Sequence, residues 1–168
     1  LAVTGKFVFV ARRRGDVLVL DAESGTALPG QTFKGPGGAV QAICSNTAGT
    51  HIAVGTLEGC IRIIDPQTNA TICDLPPHSD SVESLAFSAS GEFLYSGGLD
   101  RRVRIWRRRG DTYQEVLALK THDVVKKIQL SSDERVLAVL CDGENVVRVW
   151  DLGEMKEQLK LYSSKLAW

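Results

Sequence analysis

One skeleton dominates the chain. Residues 78–106 read His-x-x-x-Val-x-x-Leu-x-Phe-Ser-x-x-Gly, then Phe-Leu-Tyr-Ser-Gly-Gly-Leu-Asp-Arg-Arg-Val-Arg-Ile-Trp, and the pattern returns about every 42 to 44 residues. A period in that range marks an array of similar units, none able to bury its apolar face alone. Val82, which opens the first strand of its unit, has counterparts at Val40 and Val125. Trp106, closing the third strand, has counterparts at Leu20, Ile64 and Trp150. The turn glycine Gly91 is matched by Gly5 and Gly49, and by Glu134 in the fourth unit.

Short strands lie between these anchors. Phe93–Ser96 is matched by Phe7–Val10, Ile52–Gly55 and Leu137–Leu140; Val103–Trp106 by Val17–Leu20, Ile61–Ile64 and Val147–Trp150. β-branched and apolar residues fill these runs, with Gly, Asp, Ser or Asn at their ends. Val103-Arg104-Ile105-Trp106 alternates with period two, as a strand does. Arg62, Arg104 and Arg148 recur at one place in three units and are expected to lay aliphatic stems on a neighbouring sheet with wet heads.

The pattern resembles WD40 repeats: a His, an apolar strand ending in Phe-Ser, a Gly turn, a small-residue strand, an Asp turn, then Trp-Asp. Trp150-Asp151 is that dipeptide, Leu20-Asp21 and Ile64-Asp65 keep the Asp, and Trp106-Arg107 keeps the Trp. The resemblance implies an all-β, WD40-type β-propeller. Each unit would give one four-stranded blade, with the outermost strand drawn from the neighbouring repeat. The expected units are about 1–34, 35–77, 78–121 and 122–151, followed by a tail at 152–168. Leu1–Gly5 aligns with Phe87–Gly91, inside a strand. Four units alone leave strand edges and blade faces uncovered. A larger propeller of seven or more blades is therefore expected, its further blades upstream in the same polypeptide.

His78, Ser96 and Asp100 have the residue types of a nucleophilic triad. The resemblance implies another role: with Trp106 they form a buried hydrogen-bond chain fixing a turn, as His122 and Trp150 would in the fourth unit. Asp suits a turn whose backbone N–H groups need acceptors, and the indole N–H supplies a donor at the far end. Unit two has Pro36, Glu58 and Ile64 at the His, Asp and Trp places, and unit one has Arg14 at the Asp place. Those units are expected to rely on apolar packing. Unit four has a longer turn, in which Asp142 or Glu144 could replace the Asp.

Arg12, Arg13 and Arg14, and Arg101 with Arg102, are expected in loops between second and third strands, on one rim of the propeller. Arg107, Arg108 and Arg109 are expected beyond the third strand, on the opposite rim. The ordinary reading is solvated loops paired with acids such as Asp16, Asp100 and Asp111. The functional reading is a rim that forks onto carboxylates or phosphates of a partner. Gly35-Pro-Gly-Gly38 lacks the Lys-Ser/Thr of a phosphate loop and reads as a tight turn.

Charge is balanced, 20 basic against 20 acidic residues. This disfavours nucleic acid and anionic membrane as partners. Cys44, Cys60, Cys73 and Cys141 form no Cys-x-x-Cys pair and have no zinc spacing, so they read as free thiols of a reducing, cytoplasmic compartment. No metal or cofactor is expected. In the tail, Leu152, Met155, Leu159, Tyr162 and Leu166 form an apolar stripe at helical period, while Gln158–Tyr162 also fits an outer strand that would complete a blade. The function expected is a non-catalytic protein–protein interaction scaffold, or alternatively a regulatory or sensor propeller fused to a kinase or peptidase in an N-terminal part.

Overall fold

The computed structural model describes residues 1–12, 14–143 and 147–154. Four antiparallel sheets follow one another along the chain. Blade one holds β1 (Ala2–Thr4), β2 (Phe7–Ala11), β3 (Asp16–Asp21) and β4 (Ala27–Lys34). Blade two holds β5 (Val40–Ser45), β6 (Ile52–Thr56), β7 (Ile61–Asp65) and β8 (Ala70–Leu75). Blade three holds β9 (Val82–Phe87), β10 (Phe93–Gly98), β11 (Arg102–Arg109) and β12 (Thr112–Lys120). Blade four holds β13 (Val125–Leu130), β14 (Val136–Cys141) and β15 (Val147–Asp151). Each sheet is a meander whose strands pair in sequence order. First strands neighbour one another, β1 against β5, β5 against β9 and β9 against β13, as innermost propeller strands do.

Period-two alternation sends successive side chains to opposite neighbours. On β10, Phe93 and Tyr95 pack toward blade four while Leu94 packs toward blade two. On β11, Val103 and Ile105 face blade four and Trp106 faces blade two. Ile52, Val54 and Ile64 of blade two turn the other way, onto Phe9 and Phe33 of blade one. The core is thus three inter-blade layers, and each buried aliphatic or Phe side chain contributes roughly 1.5–3 kcal/mol. Two glycines let the layers close. A Cβ on Gly55 would lie 2.7 Å from a Val82 methyl, and one on Gly97 would lie 2.5 Å from a Val125 methyl.

Three expectations need correction. β11 runs to Arg109, so Arg107–Arg109 lie inside a strand and Arg102 opens it. The reason is the hairpin: Arg102 to Arg109 pair with Lys120 to Thr112 across a tight turn at Gly110, and the ladder is made by backbone groups that charged side chains leave free. Two of the recurrent arginines, Arg62 and Arg104, are also paired at their heads rather than wet. Arg62 donates to both carboxylate oxygens of Asp74 at 2.7 and 2.8 Å, and Arg104 lies 3.3 Å from Glu115. Cross-strand acids face them, so pairing replaces solvent. His122, third, is treated with the site below. Arg13, Glu144 and the tail beyond Glu154, with its helix or outer strand, lie outside the described residues.

Candidate functional site

The rim carrying the second-to-third-strand loops is built by a repeated set of backbone hydrogen bonds. Leu57, Leu99 and Asp142 each donate an N–H, at 2.9 Å, to the carbonyl just before the first strand of their own blade: Ala39, Ser81 and Val124. Gly35, His78 and Thr121, at the entry to the next blade, donate to Gly15, Gly59 and Arg101 at 2.8, 3.0 and 2.9 Å. These bonds tie each loop to both flanking strands. They also require a left-handed residue at the second acceptor: φ is 89° at Gly15, 85° at Gly59 and 58° at Arg101. Glycine takes that conformation without steric cost and arginine does not.

Blade three adds a polar chain beneath this rim. Trp106 Nε1–H donates to Ser96 Oγ at 2.9 Å, and Ser96 Oγ lies 2.8 Å from His78 Nε2. His78 Nδ1 lies 2.9 and 3.0 Å from the two Asp100 oxygens. A neutral imidazole protonated on Nδ1 satisfies every partner: it donates to Asp100 and accepts the Ser96 hydroxyl proton. Burial lowers the His78 pKa below the ordinary histidine value, against the opposing pull of Asp100, which favours that neutral form. Asp100 also accepts the N–H of Arg102 at 3.2 Å and of Ser79 at 3.4 Å, fixing the turn on both sides. Ser96 and Trp106 are fully buried and His78 is 3% exposed. The Ser96 hydroxyl is therefore shut off from any substrate.

Among the described residues no such chain forms around His122 and Trp150. The strand register moves the match of Ser96 by one residue from the sequence alignment, from Leu140 to Val139 and from Gly55 to Val54: Val139 lies opposite Arg148 and Val54 opposite Arg62, as Ser96 lies opposite Arg104. With no hydroxyl between them, His122 stays exposed in the turn before β13, and Trp150 packs into the layer shared with blade three.

Of the rim arginines, Arg12, Arg14, Arg101 and Arg102 are exposed. Arg12 makes a loose pair with Asp16 at 3.4 Å. The two groups belong to blades one and three, with blade two between them. Glu58 of that middle blade lies against Gly38 in the β4–β5 loop. Arg107, by contrast, is paired with Glu92 at 3.0 Å and rests on the Phe93 ring. Sequence reasoning missed His51, which is buried, packs edge-on against Phe87 and Tyr113 between blades two and three, and has its pKa lowered chiefly by burial and then by Arg108. It also missed the left-handed place of Arg101, although aligning Gly15, Gly59 and Arg101 would have exposed it.

All four cysteines are free. Among the described residues no three His, Cys, Asp or Glu side chains gather where they could hold a metal ion. Among them, too, no helix is long and apolar enough to cross a membrane.

Nested four-stranded meanders, polar turns and inter-blade packing define a β-propeller of repeat type. The family model described as WD domain, G-beta repeat matches residues 28–65 and 69–107. The chain belongs to the WD40 repeat proteins, a class whose repeats generally serve as protein–protein interaction scaffolds. The matched repeats are offset by one strand from the sheets: the first takes β4 with β5–β7, the second β8 with β9–β11.

Among relatives, the chain is 30% identical over 128 residues to the WD repeat-containing protein 3 homolog of Dictyostelium discoideum, covering 69% of this chain and 13% of that protein. It is 29% identical over 118 residues to apoptotic protease-activating factor 1 of Rattus norvegicus, covering 70% and 9% respectively. It is 25% identical over 154 residues to the serine-threonine kinase receptor-associated protein of Gallus gallus, covering 91% and 42%. The chain thus spans less than half the length of each of these relatives.

Proposed function

We propose that the chain is a non-catalytic interaction platform whose rim arginines take acidic groups of a protein partner, with His78, Ser96, Asp100 and Trp106 as scaffold beneath it. The observation that carries this reading is Arg101. It stands exposed in a left-handed turn where blades one and two use glycine. A strained, exposed arginine held by its surroundings is the kind of feature that function maintains. Arg102 follows it, and its backbone is pinned by Asp100. Two guanidinium groups on a rigid turn can fork onto carboxylates with little ordering cost. Arg12 and Arg14 extend the basic rim on blade one, and Arg13 joins them in sequence.

A larger ring is part of the same proposal. Leu140, Val147 and Val149 are 42%, 56% and 62% exposed on the face of blade four where a next blade would pack, and Val3 is 59% exposed on blade one. Further blades of the same polypeptide would cover both. The free thiols fit a reducing, cytoplasmic setting. The alternative is a regulatory or sensor propeller fused to a kinase or peptidase in an N-terminal part. The length of the parent gene product separates the two.

The test is charge reversal. A glutamate-rich peptide serves as probe, measured by titration at low and physiological salt. Arg101→Glu with Arg102→Glu is expected to weaken binding by about tenfold or more, the scale of a lost charge-assisted pair. Reversal of Arg107, which already has Glu92, should leave binding unchanged. Equal binding by both variants would refute the rim.

A further inference from the structure

We infer that the outer edge of β12 pairs with the same edge of a second copy of this chain, antiparallel, about a two-fold axis at Ala118. Among the described residues β12 has one strand neighbour, β11. Its other edge therefore offers backbone N–H and C=O groups to a further strand. The outer strands of blades one and two carry devices that blunt such an edge: Pro29 in β4, and the charged Asp74 in the six-residue β8. β12 has nine residues, with neither charge nor proline from Val116 to Leu119. Those four are only half-buried.

The faces of β12 set the register. Leu117 and Leu119 pack into the layer shared with blade four. Ala118 and Lys120 lie opposite Arg104 and Arg102, on the other face. Glu115 shares that face, 3.3 Å from Arg104. Val116 is a bulge residue, because Trp106 pairs with Glu115 and Ile105 with Leu117. A two-fold axis at Ala118 then matches both faces at once. Ala118 meets Ala118 of the second copy, Leu117 meets Leu119 twice, and, past the bulge, Glu115 meets Lys120 twice. Small residues sit on the axis, apolar residues beside it and opposite charges at both ends, as an isologous contact requires. Moving the axis to Leu119 sets Ala118 opposite Lys120 and brings that lysine no acid.

Lys120 needs one. In its own sheet it stands opposite Arg102, a pairing of like charges. Both residues are exposed, and among the described residues no acid lies within ion-pair distance of Lys120. Glu115 of the second copy supplies it. A strand pair of this length buries less than the roughly 1,200–2,000 Å² of a stable complex, so the dimer forms only at high protein concentration.

Sedimentation velocity over a concentration series up to the millimolar range reads the association. The native chain is expected to dimerise, and Lys120→Glu to weaken the dimer by about tenfold or more, since both end pairs become like-charged. That variant places an acid opposite Arg102 within its own sheet, so it keeps the fold. Mixing it with Glu115→Lys should restore the dimer, because each chain then presents a single sign at both places. Hydrogen exchange gives a reading independent of the second variant: amides of residues 116–120 gain protection with concentration in the native chain and not in Lys120→Glu. A native chain that stays monomeric overturns the inference. So does association that Lys120→Glu leaves unchanged, which would assign the contact to the bare faces of blades one and four.

Discussion

Blades two and three share one backbone plan and hold it by different chemistry. Leu57 and Leu99 close their rim loops with the same 2.9 Å bond. Beneath blade three lie Ser96, Trp106, Asp100 and His78; at the matching places of blade two lie Val54, Ile64, Glu58 and Pro36. Val54 and Ile64 bury themselves against Phe9 and Phe33, and no polar chain reaches from them to the loop. Apolar packing is therefore sufficient to set a sheet and its neighbours. What the polar chain adds is a grip on the loop, because Asp100 joins the strand interior to the N–H groups of Ser79 and Arg102. Blade two keeps glycine at the left-handed position of its loop. Blade three, with its loop gripped, holds an arginine there.

The largest effect should come from cutting that grip. Asp100→Ala leaves the His78 N–H and two backbone N–H groups without their acceptor in a buried site. The expected loss is about 2–4 kcal/mol, read by urea or thermal unfolding. The matching change in blade two, Glu58→Ala, removes an exposed carboxylate and should stay within about 0.5 kcal/mol. Equal losses would erase the distinction between the blades.

Acid sharpens it by a smaller amount. His78 and His51 both have folded pKa values below the ordinary histidine value of about 6.5, with burial the first cause in each. The unfolded chain therefore binds protons more readily than the folded one below that value. The stability these residues contribute is full above about pH 6.5 and is lost as pH falls below it toward the folded values. The lowered carboxylates Asp21, Asp65, Asp74 and Asp133 begin to lose theirs only near their ordinary value of 3.8 or below. Thermal melts between pH 7 and 5 thus isolate the histidines. Tm should fall across that window, and His78→Gln should flatten the fall. A slope unaffected by that change would place the titration elsewhere.

Much of the fold was legible because repetition reports it. Val40, Val82 and Val125 do open β5, β9 and β13, since an inner strand must begin with an apolar residue each time. Strand ends were less legible: nothing in Arg107–Arg109 says strand, and it is their partners, Thr112–Lys120 on one side and Glu92 and Phe93 on the other, that keep them in the ladder. The polar chain was named through a family likeness, because spacing alone does not set His78 beside a hydroxyl 18 positions away. At His122 the likeness had no bearing on Val139, which sits on another strand where blade three has Ser96. Gly55 and Gly97 read as small-strand residues, and their reason, a valine methyl of the next blade, exists only in three dimensions.

The smallest expected effect separates stability from binding on the rim. Arg101 holds φ at 58°, and its counterparts Gly15 and Gly59 hold theirs near 90° without a side chain. A left-handed non-glycine residue costs roughly 1–2 kcal/mol, while glycine returns part of that gain as added freedom of the unfolded chain. Arg101→Gly should therefore stabilise the protein by about 0.5 kcal/mol, a small rise in unfolding midpoint. The same change removes a guanidinium from the rim and should weaken the glutamate-rich probe. A variant that is more stable and binds less well means the arginine is kept at a cost to folding, for contact with something outside the chain. A variant that is less stable means instead that the arginine belongs to the structure of blade three, and the contrast between the two blades is then one of packing alone.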